Sequence, residues 1–382
     1  MARGGDHGPP SRRRMHETMV LEHLRRYGGS SRAQLVAALG LSRATVSTLT
    51  RELADAGALH IAVSPDSPGR VGRRPEILSL DPRSGLVVGI DLGHRHVTVA
   101  AADAAHELVG SGTRRCGPEA TWEARRETAV AMARGLIRSR DAPSVIGVGV
   151  GVAGSISHRE EVVDATADRL GATFRAPVRV DNNARLAGLA EVLWGAARGL
   201  RDVLYLRLSA GVGGALVLDG ELRRGPRALG GELGHVCVTE EPTRCRCGNR
   251  GCLETVVGRD SLLAAAGRPS LDDLRSALDQ DDPRAQHVVR EAGAAVGLAV
   301  AGVCTVVDVP DVVIGGELTV LGDHLFAPVR GALARHTPAG EPPRLHRAEL
   351  DHRSGALGGI GVVLRDSAIP FAVPTTTASI AS

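Results

Sequence analysis

Lysine is missing from the 382-residue chain, so its whole positive charge is arginine. Aromatic residues number only seven, and the composition leans on alanine and glycine, a coding bias of GC-rich genomes that says little about function. No stretch of 18 apolar residues occurs, which leaves no candidate for a membrane span, and the opening MARGGDHGPPSRRRM has no apolar core of a secretory signal. These absences predict a cytoplasmic protein with no membrane partner. In a reducing compartment six cysteines are better explained by metal and buried thiols than by disulfides, and Cys116, Cys237 and Cys304 are expected to be small core residues.

What is present divides the chain. Its length and a 43% hydrophobic content suit two or three domains. Residues 1–85 hold 13 Arg against 8 Asp and Glu, net +5, while the remainder is net −2. The N-terminal part therefore suits a polyanion. Residues 1–14, rich in Gly, Pro and Arg, read as a disordered basic tail. Apolar Met19, Val20, Leu21 and Leu24 then recur at helical spacing up to Gly28, and Ser31 with Gln34 three residues on is a capping-box pattern for a second helix ending at Gly40. Ser42 caps a third, SRATVSTLTRELADAGAL, with Val46, Leu49 and Leu53 facing inward. Ser42, Arg43, Ala44, Thr45, Ser47 and Thr48 are left to contact double-stranded DNA, because two short helices across a glycine turn form a helix-turn-helix whose second helix enters the major groove. His60–Val63 and Pro75–Leu80 read as wing strands, with Arg70, Arg73 and Arg74 at the basic tip. The alternative for residues 15–80 is a partner-binding three-helix module with a solvated loop; the outward polar face, basic tip and local charge together favour DNA.

Residues 231–254, GELGHVCVTEEPTRCRCGNRGCLE, carry the densest chemistry. Cys245, Cys247 and Cys252 form a C-x-C-x4-C array, Gly248 and Gly251 allow tight turns, and His235 completes a Cys3His donor set for a tetrahedral structural zinc ion. Unliganded or disulfide-bonded cysteines are the alternative.

The pattern GE-x-GH followed by C-x-C-G-x-x-G-C-x-E resembles the signature of the ROK family, which joins sugar kinases to sugar-responsive repressors; residues 16–80 likewise resemble its winged helix. The resemblance implies zinc on His235, Cys245, Cys247 and Cys252, with Glu232, His235 and Glu254 turned toward sugar hydroxyls. It implies an α/β fold: an N-terminal winged helix-turn-helix, a linker at 81–85, and a two-lobed actin-like (ribonuclease H-like) ROK domain over 86–368. The small lobe is expected at about 86–180 plus the C-terminal helix, the large lobe at about 181–350, and a loose tail at 369–382.

By the same resemblance Asp91 and Gly93 belong to a first phosphate loop, Ser209, Gly211 and Gly213 to a second, and Gly315 and Gly316 to a nucleotide-contacting turn. Here the chain departs from the kinase pattern D-x-G-G-T-K. His94, Arg95 and His96 follow Gly93; a bulky His94 obstructs backbone approach to phosphate, and His94 and His96 are expected on the hairpin surface. Gly154 resembles the turn at the sugar pocket, and Asn182-Asn183 falls on the kinase's Asn-Asp pair, so an amide stands where a carboxylate base takes the hydroxyl proton. The expectation is a DNA-binding regulator, most naturally a repressor, sensing a sugar or sugar phosphate as a homodimer or higher oligomer. An active ATP-dependent sugar kinase fused to a DNA-binding domain is the competing reading.

Overall fold

Three short helices begin the computed structural model, which describes residues 12–63, 76–117, 119–138, 144–154, 160–240, 243–338 and 340–366. Helix α1 (Arg12–Tyr27) buries Val20 and Leu24 and stops at left-handed Gly28. After β1 (Ser30–Ser31), α2 (Arg32–Leu39) opens with the expected capping box: the Ser31 hydroxyl accepts the Gln34 N–H, and the Gln34 carboxamide accepts the Ser31 N–H at 2.8 Å. Gly40 closes it in the left-handed conformation, and α3 (Arg43–Asp55) starts from the Ser42 cap. Strands β2 (Leu59–Val63) and β3 (Glu76–Leu80) pair antiparallel, with β1 on the far side of β3. Val20, Leu24, Leu35, Val46, Leu49, Leu59 and Leu78 form one core, so this is a winged helix-turn-helix with its own apolar centre.

Two details differ from expectation. Arg12–Arg14 lie in α1 and not in a tail, because Arg13 is tied to Glu17 at 3.0 Å and to Glu52 at 2.9 Å. Strand β1 is too short to show a periodicity. The wing tip with Arg70, Arg73 and Arg74, and the tail from 369 to 382, lie outside the described residues.

The linker is a single turn, Pro82–Ser84, fastened by Asp81 accepting from Arg83. Then follow β4 (Leu86–Leu92), β5 (His96–Asp103), β6 (Leu108–Arg115), α4 (Trp122–Arg138), β7 (Val145–Val152), α5 (Glu160–Phe174) and β8 (Val178–Asn182). They build a five-stranded sheet, β6-β5-β4-β7-β8, parallel across β4, β7 and β8. Helix α6 (Asn183–Trp194) leads to the second lobe: β9 (Val203–Leu208), β10 (Val212–Leu218), β11 (Glu221–Leu222), α7 (Leu253–Val257), α8 (Arg259–Ala266), α9 (Leu271–Asp279), α10 (Pro283–Val307), β12 (Asp311–Gly315), α11 (Asp323–His336) and β13 (Arg344–Arg347). Its sheet runs β11-β10-β9-β12-β13, and α12 (Ser354–Leu364) returns to the first sheet.

Glycines set how closely these layers approach. A Cβ on Gly149 in β7 would lie 1.9 Å from the Gly359 carbonyl oxygen of α12, and one on Gly89 in β4 would lie 1.9 Å from that of Ala356. The glycine-rich run of β7 is thus a seat for a helix. Helix α6 packs on α12 on one side and on β10 on the other, so this pair forms the layer between the sheets. The α6 carboxylate of Glu191, fully buried, accepts N–H bonds from Ala196, Glu349 and Leu350 at 2.9, 3.2 and 2.9 Å, which ties the lobes together without an orphaned charge. Helix α10 is long and apolar enough to cross a membrane, yet Val289, Ala292, Val296 and Val300 are in the second lobe's core, shared with α11. Its apolarity is that of a core helix.

Candidate functional site

A cavity of about 440 Å³ opens between the two lobes, where β4 and β8 end and α6 begins. Ligands of open α/β sheets bind at such carboxyl ends of strands. The loop that closes one side is the cysteine-rich segment. His235 is set by a short helical turn, Leu233–His235, while Cys245 and Cys247 occupy a turn closed by left-handed Gly248 and Cys252 precedes α7. One donor atom from each of His235, Cys245, Cys247 and Cys252 lies within 4.8 Å of all the others. The His235 Nδ1 is 3.6 Å from the Cys245 sulfur, and the Cys247 and Cys252 sulfurs are 3.7 Å apart. Three thiols and an imidazole nitrogen at one point fit a tetrahedral zinc ion. Burial and then the neighbouring Cys247 and Cys245 push the Cys252 thiol up. A dication held by these four residues would take the thiols as thiolate ligands. Cys304 is buried as expected, but Cys116 is half-buried and Cys237 exposed, because Cys237 lies on the outer side of the loop with its thiol on the Thr239 carbonyl.

The cavity side of the loop presents polar groups. His235 Nε2 faces the Glu232 carboxylate at 3.8 Å, and both line the cavity. Glu232 is steadied from below by Arg185 of α6, a fully buried guanidinium 3.5 Å from it that also bonds Asp181 at 2.9 Å and the Ala228 carbonyl at 2.8 Å. Glu254 is placed differently from the expected role at sugar hydroxyls. One of its oxygens accepts the Val212 N–H at 2.9 Å, and both are held by the fork of Arg246 at 2.8 Å. It positions the glycine turn between β9 and β10, and Arg246 is what reaches the cavity wall. A Cβ on Gly211 would come within 2.7 Å of both Arg246 and Glu254, so a larger residue there would have to displace that pair.

The Asn182-Asn183 pair sits at the α6 N-terminus. Asn182 caps the helix, its oxygen accepting from Ala184 and Arg185 at 2.9 and 3.1 Å and its amide donating to the Gly154 carbonyl at 2.9 Å. Asn183 donates to Asp91 at 2.9 Å. Gly154, Asn182 and Asn183 all line the cavity. Asp181 is turned away, into ion pairs with Arg185 and Arg224 at 2.9 and 2.5 Å.

Asp91 is fully buried at the end of β4. Burial alone would raise its pKa, but the His96 hydrogen bond, the charges of His96 and Arg207, and the Asn183 amide together pull it below the usual carboxylate range. Hence His96 is not a surface residue of the hairpin: its Nε2 lies 3.2 Å from Asp91, and its ring covers Gly93, where a Cβ would meet it at 2.3 Å. Of the expected nucleotide-loop residues, Gly93, Ser209, Gly211 and Gly213 line the cavity. Gly315 and Gly316 lie behind it, and Glu317, bound to Arg259 at 2.7 Å, supplies that wall. Arg207, Arg246 and Glu317 are cavity residues that motif reading passes over; a lone arginine in the apolar strand VLYLRL was the available signal.

On the winged helix, Arg43, Ala44 and Thr48 are exposed along α3, with Thr45 and Ser47 half-buried beside them. Ser42 is exposed too, but its hydroxyl is occupied by the Thr45 N–H at 3.1 Å and the Thr45 hydroxyl at 2.8 Å.

The ROK family profile matches residues 87–365. A xylose repressor of Caldicellulosiruptor bescii is 24% identical over 88% of this chain and 92% of its own length. Among solved structures, a ROK hexokinase from Thermus thermophilus superimposes with a TM-score of 0.62 at 30% identity, covering 72% of this chain and 96% of that one. A ROK family transcriptional regulator homologous to the E. coli MLC protein gives a TM-score of 0.72 at 21% identity, covering 92% and 97%; at that identity the likeness speaks for the fold.

Proposed function

The chain belongs to the ROK family, and on that premise we propose that it is a sugar-responsive DNA-binding transcriptional repressor whose kinase-like cleft senses and does not convert. Two features support the reading: an exposed polar helix face on the winged helix, and Asn183 in the cleft, which by the resemblance falls where the kinases of the family carry a carboxylate. An amide cannot accept the hydroxyl proton, and loss of a general base costs about 10² to 10⁴ in rate. Asp181, the nearest carboxylate along the chain, is bound by two arginines, and Asp91 is already engaged by Asn183 and His96. Relatives named xylose repressor, of nearly full-length coverage, support the reading.

Zinc on His235, Cys245, Cys247 and Cys252 would hold the loop rigid, leaving His235 Nε2 and Glu232 to meet sugar hydroxyls from that side, with Asn183 and Gly154 opposite. The metal is scaffold in this reading. The protein is cytoplasmic and acts as a homodimer or higher oligomer, because winged helices read paired half-sites roughly 34 to 36 Å apart. Arg43, Ala44, Thr45, Ser47 and Thr48 of α3, with Arg70, Arg73 and Arg74 of the wing, make the DNA contacts. A sugar that binds the closed cleft better than the open one shifts the DNA-binding equilibrium by that difference in affinity.

The test is fluorescence anisotropy of zinc-loaded protein on DNA from upstream of its own gene, at fixed salt, with a panel of sugars and sugar phosphates. Release or tightening by one compound is the expected result; DNA binding indifferent to every compound would remove the sensor from the reading. The likeness to a hexokinase keeps one competitor, ATP-dependent phosphorylation, which the same panel with ATP measures; no turnover is expected.

A further inference from the structure

Four cysteines fall within the cysteine-rich loop, and three of them belong to the Cys3His set. The fourth, Cys237, stands opposite Cys252 in an isolated antiparallel bridge. The Val238 N–H donates to the Gly251 carbonyl and the Leu253 N–H to the Val236 carbonyl, both at 2.8 Å, so these two bonds bracket Cys237 and Cys252 and neither residue bonds the other's backbone. A pair of this kind is the narrow one of an antiparallel ladder, with Cα atoms about 4.5 Å apart and both side chains on one face. A disulfide spans Cα separations of roughly 4.4 to 6.8 Å. The Cys237 sulfur already lies over the residue before Cys252, since a Cβ on Gly251 would come within 3.1 Å of it.

The two sulfurs differ in what can reach them. Cys237 is exposed, its thiol resting on the Thr239 carbonyl at 3.4 Å. Cys252 is fully buried, its sulfur 3.7 Å both from that of Cys247 and from the His235 carbonyl. Cys247 is exposed as well, but it is a member of the donor set. A small oxidant in solution thus meets in Cys237 an accessible sulfur outside the metal site. A sulfenic acid formed there goes on to a disulfide when a resolving cysteine stands beside it, and Cys252 is that neighbour.

We propose that Cys237 and Cys252 are a peroxide-sensitive pair, in which Cys237 is the sulfur oxidised and Cys252 the one that resolves it by leaving the metal site. With hydrogen peroxide as the oxidant, the Cys237 sulfur attacks one peroxide oxygen, the O–O bond breaks, and the sulfenic acid and water result. The Cys252 thiolate then attacks the Cys237 sulfur; the S–S bond forms, the S–O bond breaks, and the departing hydroxide takes up a proton as water. Two electrons pass from the sulfur pair to the peroxide. Cys252 is then no longer a donor, and His235, Cys245 and Cys247 alone do not close a tetrahedral set. The functional consequence rests on the zinc scaffold proposed above: His235, released from the set, no longer fixes the stretch of cavity wall that it forms with Glu232. A thiol reductant returns both thiols and with them the site.

The experiment exposes the full-length, zinc-loaded protein to hydrogen peroxide in buffer free of thiols. Zinc release is followed with a chelating dye, and unreduced peptides are mapped by mass spectrometry. The wild type is expected to release its zinc and to yield a peptide linked through Cys237 and Cys252, both reversed by dithiothreitol with added zinc. Cys237→Ser keeps all four donors, so it should bind zinc as the wild type does and release it roughly tenfold more slowly under peroxide. Release from Cys237→Ser at the wild-type rate overturns the pair, as does a wild-type peptide map with no link to Cys237. That map decides the matter independently of how the variant folds. A Cys237–Cys252 link formed in protein that takes up no zinc keeps the pair and removes the metal scaffold instead.

Discussion

At the scale of single residues, the cleft is built of groups that serve one another before they serve a ligand. Asn183 is the clearest case, since its amide donates to a fully buried Asp91. Restoring the kinase's carboxylate by Asn183→Asp is therefore expected to fail as a repair. It sets two carboxyl groups at hydrogen-bond distance in a buried site already polarised toward one negative charge, at a cost on the order of 1 to 3 kcal/mol. A lowered melting temperature, with no sugar-dependent ATP turnover, is the expected outcome; a stable and active variant would show that the cleft retains kinase geometry. The cysteine cluster gives a second test. Cys247→Ser removes one of four donors, and structural zinc sites carry apparent binding energies of about 10 to 16 kcal/mol at neutral pH. Metal content by mass spectrometry should fall, and the loop bearing His235 and Glu232 should become protease-sensitive. This cluster was readable because its ligands are close in sequence and glycine turns mark the backbone. The partners of Asp91 were not, because His96, Asn183 and Arg207 meet only once two sheets and a helix have been assembled.

Among the elements, the ones read most accurately carry their own punctuation. Helix α2 has its capping box and its glycine stop, α3 has its Ser42 cap, and both need no distant partner to declare themselves. Strands β1 and β6 were missed for the opposite reason: β1 is two residues long, and β6, at a sheet edge, has no buried residue and no apolar alternation. Helix α3 is where an element meets function. Its inward face is closed by Val46 and Leu49, so Arg43 and Thr48 can be changed without disturbing the core. Arg43→Ala is expected to weaken operator binding and, if the contact is to phosphate, to lower the magnitude of the salt slope by about 1. Its sugar affinity and melting temperature should match the wild type. Ser42→Ala instead should destabilise the helix start by about 1 kcal/mol through the lost cap, weakening DNA binding indirectly. Anisotropy across a salt series, alongside thermal melts, separates the two.

For the molecule as a whole, two elements have one end at Asp91 and the other at the DNA-binding module. Strand β5 begins with His96 on Asp91 and runs to the turn where Ala104 is buried in the winged-helix core. Helix α12 begins with Gly355 packed on the Asp91 carboxylate, and just past its end the Asp366 carbonyl accepts from Arg25 of α1. The joint between module and lobe is His106, in the turn after β5, whose Nε2 lies 2.7 Å from the Arg25 carbonyl and whose ring sits edge-on to Trp194 at 6.0 Å. Burial, partly offset by that backbone bond, holds the imidazole down at about 4. An unfolded histidine titrates near 6.5. Between those values the unfolded chain binds the extra proton, so the contribution of His106 is full above pH 6.5 and is lost as pH falls toward 4, to a total of about 3 kcal/mol. Melting temperatures of the wild type should thus fall more steeply from pH 6.5 to 4.5 than those of His106→Gln, which has no proton to gain; parallel curves would mean that the ring is not buried in solution. If the joint also transmits the cleft's state, His106→Ala should keep zinc, operator affinity and effector affinity each near wild type while the effector no longer changes the operator affinity. That loss of coupling, read by anisotropy with saturating effector, separates a joint that carries the signal from one that only holds the module in place, which would leave the response intact at neutral pH.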